Sequence, residues 1–386
     1  MIRLIILLSA IFFLPAVIGF AETKWQPELR VGLFSASSAT LNFSLPIEKG
    51  GVNLPANTPI VVSIEGGKIK IGDKIIDDDS IELRPKFNAL IREMFVSIDG
   101  MKYPGTVKLV LRNNQLTIVN LTTTDEYLRG VIPNEMPTSW SGEALKTQTI
   151  AARTFALKNR KRHAADGYDL CSTTHCQVYK DLSSAVESSD AAIEATFGEV
   201  LVYNGVLINA TFHSDSGGRT ENASDVWGGS VPYPVSVDEF DTKTYPWKKT
   251  IAVEEFVKQL GKDIGELKAI KLSPLEIGRG AEDRSSSGRV KRITLVGSKQ
   301  TIEIKGEELR GKFRLMSTLF DMSIKDGEVL ISGYGFGPGV GMSQYGTLDF
   351  SEHGRTYDAI LKHYYTGAEI KKAYGTLPAW KKNGSD

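Results

Sequence analysis

From residue 29 to residue 120 the chain is built of short runs with a period of two. Val61-Val62-Ser63-Ile64, Lys68-Ile69-Lys70-Ile71 and Val107-Lys108-Leu109-Val110-Leu111 are of this kind, and Gly66-Gly67, Pro104-Gly105 and Asn113-Asn114 interrupt them. Side chains two apart share one face of a strand, and Gly, Pro and Asn are what tight turns need, so this stretch buries its apolar residues as a β-domain. A content of 37 Gly and 15 Pro in 386 residues extends the bias along the chain. The length allows two or three domains and ample core.

After residue 120 the period changes. Ser141 can cap a helix in which Ala144, Leu145, Gln148, Ala152 and Phe155 fall at helical spacing, with Glu143 near its positive end and a basic run over 158–162 near its negative end. A second helix over 184–196 stops at Gly198. Residues 200–203, Asn204-Gly205 and 206–212 then give a hairpin that delivers His213 and Ser214 at a strand end. Residues 245–330 read as α+β, with a hairpin over 290–304 and a helix over 307–313. A glycine-rich turn over 333–341 leads into helices over 343–353 and 356–365. The expected fold class is α+β: a β-rich region over 25–120, a mixed core over 121–244, an α+β continuation over 245–374 and a loose tail over 375–386.

Glu135 lies between Pro133 and Pro137, with Val131, Ile132 and Met136 about it. The prolines restrict the backbone on both sides, and an apolar surround raises a carboxyl pKa toward proton-donor range. Glu135, in a loop at the mouth of the 141–158 helix, is the candidate general acid.

That stretch, with Phe212-His213-Ser214-Asp215-Ser216-Gly217-Gly218-Arg219-Thr220-Glu221 and Gly339-Val340-Gly341-Met342-Ser343-Gln344-Tyr345-Gly346, resembles the SpoIID/LytB family of bacterial cell-wall proteins. The likeness runs from about residue 29 to residue 374 and is densest over 127–230 and 330–367. It implies a SpoIID-type core with a groove for peptidoglycan glycan strands, and lytic transglycosylase activity with Glu135 as the one acid-base residue. The 6-hydroxyl of N-acetylmuramic acid would attack its own anomeric carbon, so a second carboxyl and a catalytic cofactor are not needed. Substrate contacts are expected at Gln148, Arg153, Tyr179, His213, Ser214, Ser216, Thr220, Trp227, Ser343, Gln344 and Tyr345. Relatives commonly carry His where Pro338 stands, so that imidazole has no counterpart here. The alternative is a non-catalytic glycan-binding enhancer of an N-acetylmuramoyl-L-alanine amidase, which would then be the partner.

Read from the residues alone, Ser214-Asp215-Ser216-Gly217-Gly218 lacks the first glycine of a chymotrypsin-like motif, and His163 and His175 stand in no protease context. His213, Ser214, Ser216 and Thr220 suit hydrogen bonds to sugar hydroxyls or acetamido groups, with Trp227 for stacking, or else form a self-bonded turn with a core Trp. Ser343, Gln344 and Tyr345 either line the groove or cap a helix. Gly335-Phe336-Gly337-Pro338-Gly339-Val340-Gly341 has alternating glycines and no βαβ surround, which excludes a dinucleotide site.

Both cysteines lie in Cys171-Ser172-Thr173-Thr174-His175-Cys176. Two readings stand: a Cys171–Cys176 disulfide, as is usual in an exported protein, or a structural zinc on His163, Cys171, His175 and Cys176. A metallopeptidase lacks its His-Glu-x-x-His helix.

Arg3, an apolar run to Ile18 and Gly19-Phe20-Ala21 read as a secretory signal over 1–21, with a retained membrane anchor as the alternative. Export would place the protein in the periplasm, the cell wall or outside the cell. The 46 basic and 46 acidic residues balance, so no polycation is present to bind nucleic acid.

Overall fold

The computed structural model describes residues 25–85, 94–229, 232–239 and 245–375, except for the side chain of Trp227. The expected signal over 1–21 and the tail beyond residue 375 lie outside the described residues, as does any stacking by Trp227. Within them the architecture is α+β. No described helix is long and apolar enough to cross a membrane.

Two of the residue pairs that interrupt the alternation close hairpins, while Pro104-Gly105 carries the chain from one sheet to the other. Asn113 and Asn114, at φ 49° and 56°, join Thr106–Arg112 to Gln115–Thr123, and Gly66 and Gly67, at 60° and 73°, join Ile60–Glu65 to Lys68–Ile71. Two successive left-handed residues give the turn whose twist matches antiparallel strands. One sheet runs in the order Leu170–Cys171, Glu28–Ala36, Gln115–Thr123, Thr106–Arg112, Ser80–Leu83. A six-stranded sheet runs Met101–Pro104, Phe95–Ile98, Ser38–Phe43, Ile60–Glu65, Lys68–Ile71, Lys74–Ile76. Leu29, Val31, Leu41 and Ile118 bury in the same cluster as Tyr127, Leu128, Val131, Leu145 and Phe155 of the helices that follow. The expected break after residue 120 thus falls inside a strand and inside a shared core.

Helix α1 (Thr124–Glu135) corrects the reading of a loop around Glu135, since Pro133 sits within the helix and Glu135 is its last residue. Tyr127, Leu128, Val131 and Ile132 form one buried face, and that burial outweighs the single backbone donor Pro133 removes so near the end. Helix α2 (Gly142–Lys158) starts where expected: the Ser141 hydroxyl accepts from the Ala144 N–H at 3.1 Å. Leu145, Ala152 and Phe155 face the first core, while Ile150 and Ala151 face another with Leu201, Phe350 and Tyr364. A helix buried on both sides needs no polar stripe. Helix α3 (Glu187–Ala195) precedes the strand Glu199–Tyr203, which turns at Asn204-Gly205 as expected. The return strand is only Val206–Leu207, because Ile208 and Ala210 are drawn into the core. The chain then re-forms as Phe212–His213, parallel to Met342–Ser343.

Between those two parallel strands lies a long excursion: α4 (Ala223–Trp227), α5 (Val253–Leu260), α6 (Gly306–Phe313) and two three-stranded sheets. From Trp247 to Ile331 it has its own core, with the Phe256 and Phe313 rings stacked at 4.5 Å. Helices α7 (Gln344–Glu352) and α8 (Tyr357–Tyr364) close the fold.

Candidate active site

At the end of α1 Glu135 opens into a cavity of about 500 Å³, lined also by Arg162, His213, Ser214, Phe336 and Gln344. Its Oε1 accepts the Val178 N–H at 2.7 Å, and the Gln344 side chain hydrogen-bonds the same carboxyl. Burial lifts its pKa to about 7, against the pull of those two bonds, which favour the ionised form. Glu135 is the one carboxylate among the described lining residues.

His213 forms the opposite polar feature. Its Nδ1 pairs with the Val340 carbonyl at 3.1 Å, which assigns the proton to Nδ1, and its Nε2 is buried with no partner among the described residues. Burial, helped by the charge of Arg289, lowers its pKa to about 3, so the ring is neutral near pH 7. The glycine-rich turn holds it there. Asp215 and Phe336 exchange backbone hydrogen bonds at 3.0 and 2.8 Å, the Tyr345 N–H donates to the Ser214 carbonyl at 3.0 Å, and Gly339, at φ 83°, leaves room for the buried Arg289 guanidinium.

The other expected contacts divide by burial. Gln344 reaches Glu135, and Gln148, fully buried, stands behind it with its Oε1 3.5 Å from the Gln344 amide. Ser343 is a helix cap, accepting the Gly346 N–H, while Tyr345 is exposed against Trp140. Four expectations are corrected. Arg153 is fully buried, bonded to Asp125 and the Tyr374 hydroxyl, both at 2.9 Å; a guanidinium taken out of water must be paired this way. Tyr179 donates to Asn120 beneath the Tyr127 ring. Ser216 donates to Glu239 at 2.5 Å, and Thr220 accepts the Val237 N–H at 2.8 Å, so both close a loop rather than face the cavity.

The comparisons with known proteins come from both halves of this cavity. Residues 112–203 match the family model described as SpoIID, stage II sporulation protein. The stage II sporulation protein D of Bacillus amyloliquefaciens is 33% identical over 282 residues, covering 68% of this chain and 78% of that protein. The chain belongs to the SpoIID/LytB family. Stage II sporulation protein D of Bacillus subtilis is also 33% identical, over 64% of this chain and 74% of its own length. The amidase enhancer of Bacillus subtilis is 30% identical over 80% of this chain, which spans about half of it, 49%. Residues 233–341 match a domain of unknown function, DUF8618. In this SpoIID/LytB chain the first match carries Glu135, α2 and the cysteine loop, the second carries the excursion beyond α4 with the glycine-rich turn, and His213 and Gln344 fall outside both.

In the cysteine loop both thiols are free. The His163 Nε2 and His175 Nδ1 are 3.3 Å apart, and His175 Nδ1 is 3.6 and 3.7 Å from the sulfurs of Cys171 and Cys176; all four donors lie within 4.8 Å of one another. Tetrahedral zinc with its usual bonds to N and S spaces its ligands about 3.3–3.8 Å apart, and the three distances from His175 Nδ1 fall in that range. The carboxylate of Asp166, 3.0 Å from Nδ1 of His163, is the partner a ligating imidazole ordinarily has. The loop ends at Val178, whose N–H holds Glu135. Sequence reasoning missed Val178, a backbone donor without a side-chain signature, and Arg162, hidden in a basic run.

Proposed function

We propose that this chain is a lytic transglycosylase that cleaves the glycosidic bond between N-acetylmuramic acid and N-acetylglucosamine in peptide-stripped glycan strands. The observation that carries the reading is a single carboxyl, lifted to about 7, facing a polar cavity with no second acid among its described lining. Hydrolysis by two carboxyls would need one more. The protonated Glu135 gives its proton to the leaving oxygen as the C1–O bond breaks. The 6-hydroxyl oxygen of the same muramoyl residue bonds to C1, and its proton passes to the Glu135 carboxylate, so no water is consumed and a 1,6-anhydro end results. His213, which lines the cavity, positions the strand without taking part in the bond change.

A structural zinc on His163, Cys171, His175 and Cys176 belongs to this reading. When bound, it supplies four bonds that brace the loop behind Val178, and no step of the reaction passes through it. The reading also requires export, for which residues 1–21 offer a signal or anchor. The similarity to the amidase enhancer supports a second role, glycan binding that assists an N-acetylmuramoyl-L-alanine amidase. Mass spectrometry of purified strands after incubation tests the proposal: anhydro-muramic ends are expected, and reducing muramic ends or intact strands would overturn it.

A further inference from the structure

Arg162 lines the cavity of Glu135 and has no part in the bond change. It stands just beyond the last turn of α2, on a bend that is held from several sides. The Asn159 side-chain amide donates to the Phe155 carbonyl and to the Asn209 side chain, both at 2.9 Å, the Arg162 N–H donates to the Asn159 carbonyl at 2.9 Å, and Lys161, at φ 78°, reverses the chain. Phe155 and Asn209 are cavity walls themselves, so the bend is tied to the site. The Arg162 side chain is exposed, and no carboxylate among the described residues pairs with it. Its side-chain contact there is His175 Nε2 at 3.5 Å, longer than an ordinary hydrogen bond. It is the one Lys or Arg among the described lining residues, and its five donors stay charged at any pH the fold survives.

We infer that Arg162 is a specificity-determining residue: it pairs with the lactyl carboxylate of the muramoyl residue being cleaved, so the site reads the stripped strand by its charge and not only by the room a missing peptide leaves. The inference rests on the glycan reading of the cavity. Sugar hydroxyls and acetamido groups are neutral. Once the stem peptide is gone, the strand's ionised group is the lactyl carboxylate on C3 of muramic acid; with the peptide in place that carboxyl is an uncharged amide. C3 and C1 belong to one ring. A muramoyl residue with its C1 at Glu135 therefore brings its carboxylate into the same cavity, whose volume of about 500 Å³ takes the sugar with its substituent. The permanent cation it meets there is Arg162. A planar fork of N–H donors matches the two oxygens of a carboxylate, whereas an amide offers one carbonyl oxygen and no charge. The lactyl group is remote from the C1–O bond, so Arg162 decides which strand is held and leaves the proton transfers to Glu135.

The test is calorimetric binding of two peptide-free glycans to the full chain carrying Glu135→Gln, so that strands stay intact. One glycan keeps its lactyl carboxylates, and in the other they are converted to methylamides. The carboxylate strand is expected to bind about fivefold more tightly, the upper end for an ion pair open to water, and the preference should shrink as salt is added. Adding Arg162→Gln should erase the preference by weakening the carboxylate strand alone, and adding Arg162→Lys should keep part of it. Equal affinities for the two strands before Arg162 is changed, a preference that survives Arg162→Gln, or one lost as fully in Arg162→Lys would overturn the inference. So would an equal loss for both strands in Arg162→Gln, which would make Arg162 a contact to the sugars and not to the charge. If the unmutated chain makes no anhydro ends yet the preference still depends on Arg162, the transglycosylase reading falls and the charge reading stands. If ends form without that dependence, the reverse holds. If no glycan binds, both fall.

Discussion

Glu135 and Glu239 are both lifted by burial to about pH 7, yet they stand in opposite surroundings. Glu135 faces an open cavity with a backbone N–H and the Gln344 amide on its other side. Glu239 is half-buried but lines no part of that cavity, and both its oxygens are taken, one by the Ser216 hydroxyl at 2.5 Å and the other by the Tyr364 hydroxyl at 2.8 Å, with Gly346 packed so close that any Cβ there would collide with it. Burial sets how tightly each carboxyl holds its proton, and access sets whether a substrate can receive it. A raised pKa alone would nominate both; the cavity selects one.

The sharpest way to break this contrast is to neutralise each in turn. Glu135→Gln should lower turnover at least about a hundredfold, the scale of general acid-base catalysis, while glycan binding and the melting temperature are kept. Measured rates on purified strands decide it, and wild-type turnover in this variant would remove Glu135 from the chemistry.

Metal removal probes the support behind Glu135. If zinc occupies the four-donor cluster, chelation should lower the melting midpoint by on the order of 10 °C, with turnover falling only as the loop bearing Val178 loosens. Metal analysis paired with thermal scans reads both. Turnover lost at once with an unchanged midpoint would give the metal a part in the reaction.

The pH profile sharpens the contrast further. Turnover needs protonated Glu135, so it should fall about tenfold per unit once pH passes about 7. The Gln344 hydrogen bond favours the ionised form, so Gln344→Ala should move that limb to higher pH. A limb that stays in place would mean another group titrates.

The smallest effect is expected at Glu239, whose folded pKa exceeds the usual 4.5. Its contribution to stability is full below that ordinary value and is lost as pH rises through about 7, because the folded state then holds a proton that the unfolded state has released. Denaturation curves from pH 4 to 8 should fall with pH in the wild type and fall less steeply in Glu239→Gln, with turnover changed by less than about tenfold.

Much of this contrast was legible in the sequence, and the exceptions have physical causes. Alternating runs and the Asn113-Asn114 and Asn204-Gly205 turns mark strands and hairpins directly, because period and left-handed backbone are local properties. Pro133 masks helix α1 in the sequence, although Tyr127, Leu128, Val131 and Ile132 spell a buried helical face. Arg153 and Tyr179 look like ligand-binding groups in sequence because their partners are remote: Asp125 is 28 residues from Arg153 and Tyr374 is 221. Glu239 carries no sequence signal, since its neighbours Val237 and Asp238 resemble any loop and the enclosing Tyr364 comes from α8.

The central claim is that access, not proton affinity, makes Glu135 the acid. It is tested most directly by mass spectrometry of strand ends after parallel incubation with the wild type, Glu135→Gln and Glu239→Gln. Anhydro-muramic ends are expected from the wild type and from Glu239→Gln, and none above background from Glu135→Gln. Anhydro ends from Glu135→Gln at the wild-type rate, or their disappearance only in a fully folded Glu239→Gln protein, would contradict the account.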